Sequence, residues 1–524
     1  MARLEAVRIL AAGQWRDGYL DYSIGPGEVR IRVTHIVNLL PVHDMHYVRP
    51  RSWRMLYNYA REVGIAGVLR RVRSRLGETS RNDKYLSCGV GYVIEDGAGG
   101  DAALSTGTPV GFIAPCHPPA AERLVVYRRL VIATSALPDE PGLIRHRRQD
   151  GAVDPALASL CGYVPASGIE IDAVTIANAI IAAKSLLFDI NWRDADGLQV
   201  DASEVSTTTS DAPVVGKSVL IGLGNYAKTV IFPSVGKHLS IARIHEIDPT
   251  QLGPPPADAK FGFSTRPAPF DDDRPDAVFI AGFHHGHAAL AIDALGRGAY
   301  AIVEKPIATQ RADIAPLIEA VSQSPRFFAC FHKRYSTFND YALCDLDHRA
   351  GQPIDYHCIV YETPLPALHW YRWPTSRSRL TSNGCHWIDH FLTLNEYAPV
   401  VRRELGAAQS GVTSVMVELA NGACFTMTLT DHGSERLGVR DHIELRLADR
   451  TVTIDDGSRY RAESSSRVLR TARHNRSESY GLMYSSIARK VREGLPGDSL
   501  HSIERSATLV LDLEDMLDLK QPVR

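Results

Sequence analysis

The sequence predicts an α/β protein in which a parallel, doubly wound sheet is followed by a mainly antiparallel open sheet and preceded by a β-rich domain. Short β-branched runs between glycine-rich turns fill much of the first 150 residues. From residue 217 the rhythm changes to strand, glycine turn, helix and strand, which is typical of a parallel sheet. From about residue 352 longer strands of alternating polarity follow, and they indicate the antiparallel sheet.

Each predicted element follows from its own residue pattern. In the first third, strands are predicted at 29–33, 90–94 and 124–127, with a helix inserted at 51–76. The parallel sheet receives strands at 218–221, 241–247, 277–281 and 301–303, with helices at 227–238 and 287–297. The antiparallel sheet receives strands at 356–361, 413–419, 424–430 and 442–447.

These patterns also set the predicted domain boundaries. An apolar helix at 171–188 and a polar stretch at 191–213 separate the β-rich part from the parallel sheet, and the polar stretch is typical of a linker. The predicted units are a β-rich domain at 1–150, a helical segment and linker at 151–213, a parallel-sheet domain at 214–335 and an α/β domain at 336–524.

The composition is that of an ordinary globular protein, with 44% hydrophobic and 23% charged residues and a formal net charge of -2. The charge gives no indication of a nucleic-acid partner. The eight cysteines form no CxxC pair or regular spacing, so neither a metal site nor a disulfide framework is predicted. No signal-peptide pattern or membrane-length apolar run occurs. We therefore expect a cytoplasmic protein without a membrane partner.

A glycine-rich turn follows the first strand of the predicted parallel sheet. Gly222, Gly224 and Ala227 give the spacing GxGxxA, and Asn225 and Tyr226 lie between the last two. The first glycine permits a tight turn, the second lets the backbone approach a pyrophosphate, and a small third residue lets the helix pack on the strand. Many strand-to-helix turns use glycine for geometry alone, so the prediction of a dinucleotide site needs support from a second feature.

An acidic pair at the end of the next predicted strand supplies that feature. Glu246 and Asp248 follow the glycines by about twenty residues, where a carboxylate accepts hydrogen bonds from adenosine ribose hydroxyls and repels a 2′-phosphate. Asp248 can instead cap the turn at Pro249. The pattern predicts NAD or NADP as the cofactor and slightly favours NAD, while Arg243 on the same strand leaves NADP open.

Later motifs complete a resemblance to a known family. The segment at 281–287 is followed by Glu304-Lys305-Pro306 and by the run Cys385-His386-Trp387-Ile388-Asp389. With the glycine turn, these residues make the last 300 or so residues resemble the glucose-fructose oxidoreductase/inositol dehydrogenase/rhizopine catabolism (Gfo/Idh/MocA) family. The resemblance implies a Rossmann domain, an α/β domain that carries the substrate, and a homo-oligomer. It implies that the cofactor is bound by Gly222, Gly224, Asn225, Tyr226, Ala227, Glu246, His284, His287, Glu304 and Lys305.

The resemblance also implies the chemistry. A lysine near the nicotinamide can hydrogen-bond the reacting oxygen, help its proton leave during oxidation and polarise the carbonyl during reduction. Lys305 is therefore the predicted catalytic residue, and the alternative is an ordinary exposed lysine at a strand end. By resemblance, His386 assists Lys305 in proton transfer or binds a substrate hydroxyl. Many family members carry an aspartate four residues before this histidine, where this chain has Ser382, and a serine is no general base unaided.

Other polar residues are candidates for substrate binding. Lys333 and Arg334 are predicted to bind an anionic substrate group, with solvated charges at a domain junction as the alternative. Asn383 either orients substrate or caps a helix, and Asp389 shares a helix face with His386. Five aromatic or histidine residues are candidates to line the substrate cleft, and the alternative is that they belong to the core. They are Tyr356, His369, Trp370, Trp373 and His390.

The region at 51–96 resembles the GroES-like catalytic barrel of medium-chain alcohol dehydrogenases, in the form that precedes the oxidoreductase module of long bi-domain oxidoreductases. As there, an arginine-rich helix precedes a glycine-tyrosine strand around Gly91 and Tyr92. No glycine-rich nucleotide turn occurs between 124 and 191, and no cysteine–histidine pair stands where zinc ligands are expected. We interpret this part as a truncated, non-catalytic domain that covers the active site, mediates oligomerisation or binds a protein or peptide partner.

Three functions agree with these residues. The first is hydride transfer between NAD(P) and a hydroxyl or carbonyl carbon of a small, polar, sugar-like or specialised substrate, with Lys305 and His386 handling the proton. The second is reduction of an imine in a biosynthetic pathway, and the third is a binding or scaffold protein that has lost turnover. Ser382 is the reason for considering the second function, and Ser382, the altered glycine-rich surroundings and the truncated first domain are the reasons for considering the third.

Overall fold

The computed structural model describes residues 4–11, 14–21, 24, 28–41, 85–97, 104–116, 121–127, 131–133, 217–235, 238–248, 261–266, 274–365, 371, 374–408, 410–433 and 438–520. The helices predicted at 51–76 and 171–188, the linker predicted at 191–213, and His369, Trp370 and Trp373 lie outside these residues. None of the helices in the described part of the chain combines the length and the apolarity that a membrane crossing requires.

The described residues before position 134 form antiparallel β-structure. The strands are β1 (Leu4–Ala11), β2 (Gln14–Asp21), β3 (Glu28–Pro41), β4 (Tyr85–Asp96), β5 (Pro109–Cys116), β6 (Arg123–Tyr127) and β7 (Val131–Ala133). Strands β1 and β2 pair as a hairpin, and the others form a sheet in the order β6-β3-β4-β5-β7. Val29, Ile31 and Val33 alternate with arginines along β3 and are fully buried, as the period of two of a half-buried strand requires. The strand predictions in this part are confirmed.

A parallel sheet begins at residue 218. Its strands are β8 (Ser218–Ile221), β9 (Ile241–His245), β10 (Gly262–Ser264), β11 (Ala277–Ile280), β12 (Tyr300–Glu304) and β13 (Phe327–Cys330). Their order is β10-β9-β8-β11-β12-β13. From β8 the chain adds β9 and β10 on one side of the sheet and then β11, β12 and β13 on the other, so the strand order reverses between β8 and β11. Ligands of such sheets bind beyond the carboxyl ends of the strands at this point of reversal.

Helices cover both faces of the parallel sheet, because its strands are apolar on both faces. A π-helical turn over Ala227–Ile231 continues into α1 (Phe232–Val235), and α2 (His287–Gly296) and α3 (Ile314–Gln323) follow. Val219 and Ile221 of β8 belong to the core that contains α2 and α3, whereas Leu220 belongs to the core on the side of α1. Among the described residues, the helix predicted at 227–238 extends as far as residue 235.

The second domain begins with α4 (Thr337–Asp345) and is built on a large sheet. A π-helical turn over Leu380–Gly384 leads into α5 (Cys385–Leu394), and the chain ends with α6 (Glu478–Arg492) and α7 (Leu500–Lys520). The strands are β14 (Asp355–Tyr361), β15 (Val400–Ala407), β16 (Thr413–Leu419), β17 (Cys424–Thr430), β18 (Arg440–Leu447), β19 (Arg450–Asp455), β20 (Arg459–Ser464) and β21 (Val468–Arg473).

This sheet has the order β15-β16-β17-β14-β18-β19-β20-β21, and every pair in it is antiparallel except β14 with β17. Val415, Val417 and Phe425 point into a core shared with α5 and α7, and the residues between them face the other side. The predicted mainly antiparallel open sheet is confirmed.

Helix α6 returns to the first domain. Met483, Tyr484 and Ile487 of this helix are fully buried in the same core as Leu220 and Phe328 of the parallel sheet. By packing, residues 478–492 therefore belong to the parallel-sheet domain, although the sequence pattern places them in the second one. The return brings Tyr480 and Tyr484 close to the carboxyl ends of the parallel strands.

Candidate active site

The turn after β8 has the geometry that the glycine spacing predicts. Gly222 has a φ of +92°, and a Cβ atom built on it would lie 2.5 Å from the carbonyl oxygen of Ala281. Its N–H donates to the carbonyl of His245 at 2.7 Å, which ties the turn to the end of β9. Around Gly224, by contrast, a Cβ atom would meet no described atom within 4 Å. The turn is tightly packed at its first glycine and open at its second, as pyrophosphate binding requires.

Glu246 reaches back to this turn. One carboxylate oxygen accepts from the Leu223 N–H at 2.5 Å, and the other accepts from the Asp248 N–H at 2.9 Å. Glu246 is 8% exposed. Burial, and then the negative charge of Asp248, raise the pKa of Glu246 to about 7. The acidic residue and the glycine turn therefore form one structural unit, which fits the adenosine side of a dinucleotide.

The raised pKa of Glu246 makes the stability of the chain depend on pH. The folded state holds the Glu246 proton more tightly than the unfolded state, whose pKa is near 4.5. Protonated Glu246 therefore makes its full contribution to the free energy of unfolding below pH 4.5. This contribution, about 3 kcal/mol, is lost as the pH rises to about 7. Urea unfolding at both ends of this range should show that Glu246→Gln removes this loss. A pH dependence equal to that of the unaltered chain would contradict the account.

Lys305 lies directly after β12, and the Lys305–Pro306 peptide bond is cis. Its half-buried ammonium donates to the Ser382 carbonyl at 2.7 Å and to the Tyr371 hydroxyl at 3.2 Å. Burial lowers the pKa of Lys305, but the electrostatic effects of Tyr371, Cys385 and Glu304 outweigh it, so that the pKa is raised. Lys305 is therefore a positioned cation rather than an exposed lysine, and two described acceptors occupy two of its three N–H donors.

Two predicted cofactor residues, His284 and His287, lie against the Lys305 loop. The His287 ring nitrogens approach the Pro306 carbonyl at 2.8 Å and the Gly282 carbonyl at 3.2 Å. Burial lowers the pKa of His287 to about 4, so a neutral ring donates to one of these carbonyls at a time. The His284 ring is 4.9 Å from the Tyr371 ring, and burial lowers its pKa well below the usual range. His287 therefore holds the backbone next to Lys305, and His284 packs against the Tyr371 ring beside it.

Glu304 is anchored from the opposite side. The Tyr484 hydroxyl of α6 donates to its carboxylate, and Tyr226 of the glycine turn contributes a second side-chain hydrogen bond. Glu304 is 8% exposed, and burial raises its pKa. Tyr226 and Tyr480 of α6 meet edge to face with ring centroids 6.0 Å apart. Tyr226 therefore joins the glycine turn to the lysine loop.

His386 is stacked on His332, with ring centroids 4.6 Å apart and planes within 8° of parallel. Both are more than nine-tenths buried, and Nδ1 of each has no hydrogen-bond partner among the described residues. Burial, and then the positive or ionisable neighbours His332, Lys305 and Lys333, lower the pKa of His386 well below its usual range. His386 is thus a neutral imidazole within the electrostatic field of Lys305. The Ser382 hydroxyl is also fully buried and without a partner among these residues.

Lys333 and Arg334 are not placed as free anion-binding groups. Lys333 pairs with Asp441 at 2.5 Å and lies over the Trp387 ring. Arg334 forms two hydrogen bonds to Asp389, at 2.6 and 2.9 Å. The side chain of Arg334 is 9% exposed and that of Asp389 is fully buried. Their prediction as substrate contacts therefore needs correction, because their charges are satisfied by protein groups.

Two further residues, Asp498 and Ser506, belong to the hydrogen-bond network around Arg334 and Asp389. Asp498 accepts from Arg334 at 2.9 Å and from the Ala329 N–H at 2.8 Å. The Ser506 hydroxyl donates to Asp389 at 2.6 Å. Arg334 therefore connects β13, α5 and the start of α7, which is a structural role. Asn383 also contacts protein, since its side chain hydrogen-bonds the buried carboxylate of Glu362.

We expect Arg334→Met to destabilise the chain by about 3 kcal/mol, because it leaves Asp389 and Asp498 buried without a counter-charge. The control is Arg311→Met, which breaks exposed pairs with Asp512 and Asp515 and should change the free energy of unfolding by less than about 1 kcal/mol. Urea unfolding followed by circular dichroism measures both. Equal stability of the two variants would contradict the role assigned to Arg334.

Several contacts of Lys305 and its surroundings are not evident from sequence patterns. Tyr371 belongs to an aromatic run that is visible in the sequence, whereas His332, Tyr480 and Tyr484 carry no motif. The Tyr356 hydroxyl bonds His390 at 3.0 Å, and both residues are buried in the core, the alternative already considered for them. Among the described residues, no group of three or more His, Cys, Asp or Glu side chains is arranged to hold a metal ion.

Comparisons with known proteins agree with this geometry. Residues 217–332 match the family described as "Oxidoreductase family, NAD-binding Rossmann fold" (GFO_IDH_MocA). A dehydrogenase from Chromobacterium violaceum superposes with a TM-score of 0.50 at 15% identity, over 58% of this chain and 96% of that one, which shows a shared fold. Levoglucosan dehydrogenase in complex with NADH and levoglucosan superposes with a TM-score of 0.49 at 16% identity, over 58% and 98%.

No curated protein is significantly similar in sequence. The family match does not extend to the N-terminal strands, so their relation to medium-chain alcohol dehydrogenases stays a prediction. For the central part of the chain, the matched residues include the glycine turn, Glu246, Lys305 and the strands that carry them. Residues 217–332 are therefore similar to the NAD-binding Rossmann domain of Gfo/Idh/MocA oxidoreductases.

Proposed function

We propose that the chain transfers a hydride between a nicotinamide dinucleotide and the hydroxyl or carbonyl carbon of a small polar molecule, with Lys305 as the catalytic residue. The observation that carries this proposal is the Lys305 ammonium. It is held by the Ser382 carbonyl and the Tyr371 hydroxyl, and its remaining N–H, which has no acceptor among the described residues, is available to a substrate oxygen. Lys305 follows β12, which lies beside β11, and β11 in turn lies beside β8, the strand that leads into Gly222 and Gly224.

The nicotinamide, when bound, supplies or accepts the hydride. During reduction, the Lys305 ammonium hydrogen-bonds the substrate carbonyl oxygen, stabilises the negative charge that develops there and supplies its proton. During oxidation, Lys305 first has to lose a proton so that its amine can accept the hydroxyl proton. Because the pKa of Lys305 is raised, the reduction direction starts from the protonation state that the chain already holds at neutral pH.

His386 is the proposed second group at the substrate hydroxyl. Its lowered pKa keeps it neutral and makes it a weak proton acceptor, and its Nδ1 lacks a partner among the described residues, so its role is to hydrogen-bond a substrate hydroxyl beside Lys305. Ser382 does not replace a carboxylate, but its carbonyl orients Lys305. Arg334 and Asp389 have no part in the proposal because each neutralises the other. Glu246 at the glycine turn supports NAD as the slightly preferred cofactor.

The test uses NADH that carries deuterium at the transferable position of the nicotinamide ring. The full-length chain is incubated with this NADH, and separately with labelled NADPH, in a mixture of small polar carbonyl compounds and imines. We expect deuterium on a carbon that bears a hydroxyl group in the product, and none with Lys305→Met. Deuterium on a carbon that bears nitrogen would instead support imine reduction. Nucleotide binding without label transfer to any compound would contradict hydride transfer to this substrate class.

A further inference from the structure

The hairpin of β1 and β2 reaches the acidic end of the dinucleotide site. The Tyr19 N–H on β2 donates to the carbonyl of Ile247 at 2.9 Å. Ile247 lies between Glu246 and Asp248, just beyond the carboxyl end of β9. In a sheet of this type, that is where the adenosine ribose binds. A strand from the N-terminal domain therefore contacts the backbone between Glu246 and Asp248.

The hairpin is a fixed part of the N-terminal domain. Val7 and Ile9 of β1 are buried at 4% and 0% exposure in the same core as Ile31 and Leu124. A β-bridge also joins Ile9 to Ala121, next to β6. A buried core holds its members in one arrangement. The position of Tyr19 is therefore set by the whole N-terminal domain.

A continuous chain of hydrogen bonds leads from the hairpin to the pyrophosphate turn. Tyr19 fixes the Ile247 carbonyl, and the residues on either side of it are joined by the bond from the Asp248 N–H to Glu246. The other Glu246 oxygen accepts from the Leu223 N–H between the two glycines of the turn. A shift of the Ile247 backbone would therefore displace the carboxylate that holds Leu223.

We propose that the N-terminal domain is a working part of the dinucleotide site, in which the hairpin of β1 and β2 fixes the Ile247 backbone and so preorganises Glu246 and the glycine turn for the nucleotide. This inference rests on the proposed dinucleotide function. Its physical basis is that a site held in its binding conformation does not lose ordering free energy when the ligand binds. The domain thereby increases nucleotide affinity without contributing a side chain to hydride transfer.

The test compares two proline variants of the full-length chain. Tyr19→Pro removes the N–H that donates to Ile247. Asp17→Pro is the matched control, because Asp17 is exposed and lies two residues earlier on β2, so that its N–H faces the same side of the hairpin. We expect fluorescence titration with NADH to show affinity about five- to tenfold weaker for Tyr19→Pro and within about twofold of the unaltered chain for Asp17→Pro.

Equal affinity of all three chains would overturn the inference and leave the proposed function intact. Tighter binding by Tyr19→Pro would also overturn it, since the hairpin would then obstruct the site. Failure of the unaltered chain to bind either NADH or NADPH would overturn both proposals. Hydrogen–deuterium exchange of the unaltered chain provides a test that does not depend on the folding of a variant. Added NADH should slow exchange in the peptide that contains β2, and unchanged exchange there in the presence of saturating NADH would contradict the inference.

Discussion

Lys305→Met should reduce turnover by about 100- to 10,000-fold, the usual contribution of a positioned acid–base group, while nucleotide affinity stays within about twofold. Methionine preserves the length and apolar packing of the side chain but removes the ammonium that the Ser382 carbonyl and the Tyr371 hydroxyl orient. The substrate oxygen then has no cationic donor in the transition state. Steady-state rates with the substrate that acquires deuterium, together with NADH titration, measure the two effects separately.

Tyr371→Phe is the matched control for this prediction. It removes one hydrogen-bond partner of Lys305 and keeps the charge, the Ser382 contact and the aromatic ring beside His284. We expect a loss of turnover of about tenfold, well below that of Lys305→Met. If Lys305→Met instead lost nucleotide affinity and kept the catalytic rate of bound complexes, Lys305 would be a cofactor ligand and the proposed proton transfer would be wrong.

Gly222→Ala should destabilise the Rossmann domain by up to about 6 kcal/mol and abolish nucleotide binding. A non-glycine residue at a φ of +92° is strained, and the new methyl group would lie 2.5 Å from the Ala281 carbonyl oxygen, where the backbone has to move. That carbonyl directly follows β11, so the displacement spreads to β8 and β11, beyond whose carboxyl ends ligands of such sheets bind. Urea unfolding and NADH titration measure the two losses.

Gly224→Ala separates packing from ligand binding at the same turn. No described atom lies within 4 Å of the added methyl group, so the free energy of unfolding should change by less than about 1 kcal/mol. The methyl group would instead occupy the space through which the backbone approaches a pyrophosphate, and NADH should bind at least about tenfold more weakly. Unchanged NADH affinity in this variant would place the nucleotide elsewhere.

The parallel and antiparallel sheets could be predicted from sequence because their signals are local. β8, β16 and β17 have the predicted bounds, since glycine or polar residues flank short apolar or alternating runs. The GxGxxA turn was equally predictable, because a positive φ at Gly222 requires a residue without a side chain. Periodicity also indicated that the strands after residue 352 have one buried and one open face.

The partners of the site residues could not be predicted, because they are distant in the chain. Lys305 meets Ser382 across 77 positions, and Tyr484 meets Glu304 across 180. Lys333 and Arg334 have the appearance of exposed cations in a sequence, and only the return of the chain around α5, β18 and α7 supplies Asp389, Asp441 and Asp498. The sequence identifies the residue types needed for the chemistry, whereas the tertiary contacts decide which charges remain available.

We infer that the Gly222 turn, Glu246 and Lys305 form one dinucleotide-dependent active site. The decisive measurement is fluorescence titration of the unaltered full-length chain with NADH and with NADPH, with Gly224→Ala titrated in parallel. We expect saturable binding of at least one of the two nucleotides, with slightly higher affinity for NADH, and clearly weaker binding by the variant. Absence of binding of both nucleotides to the folded, unaltered chain would contradict it.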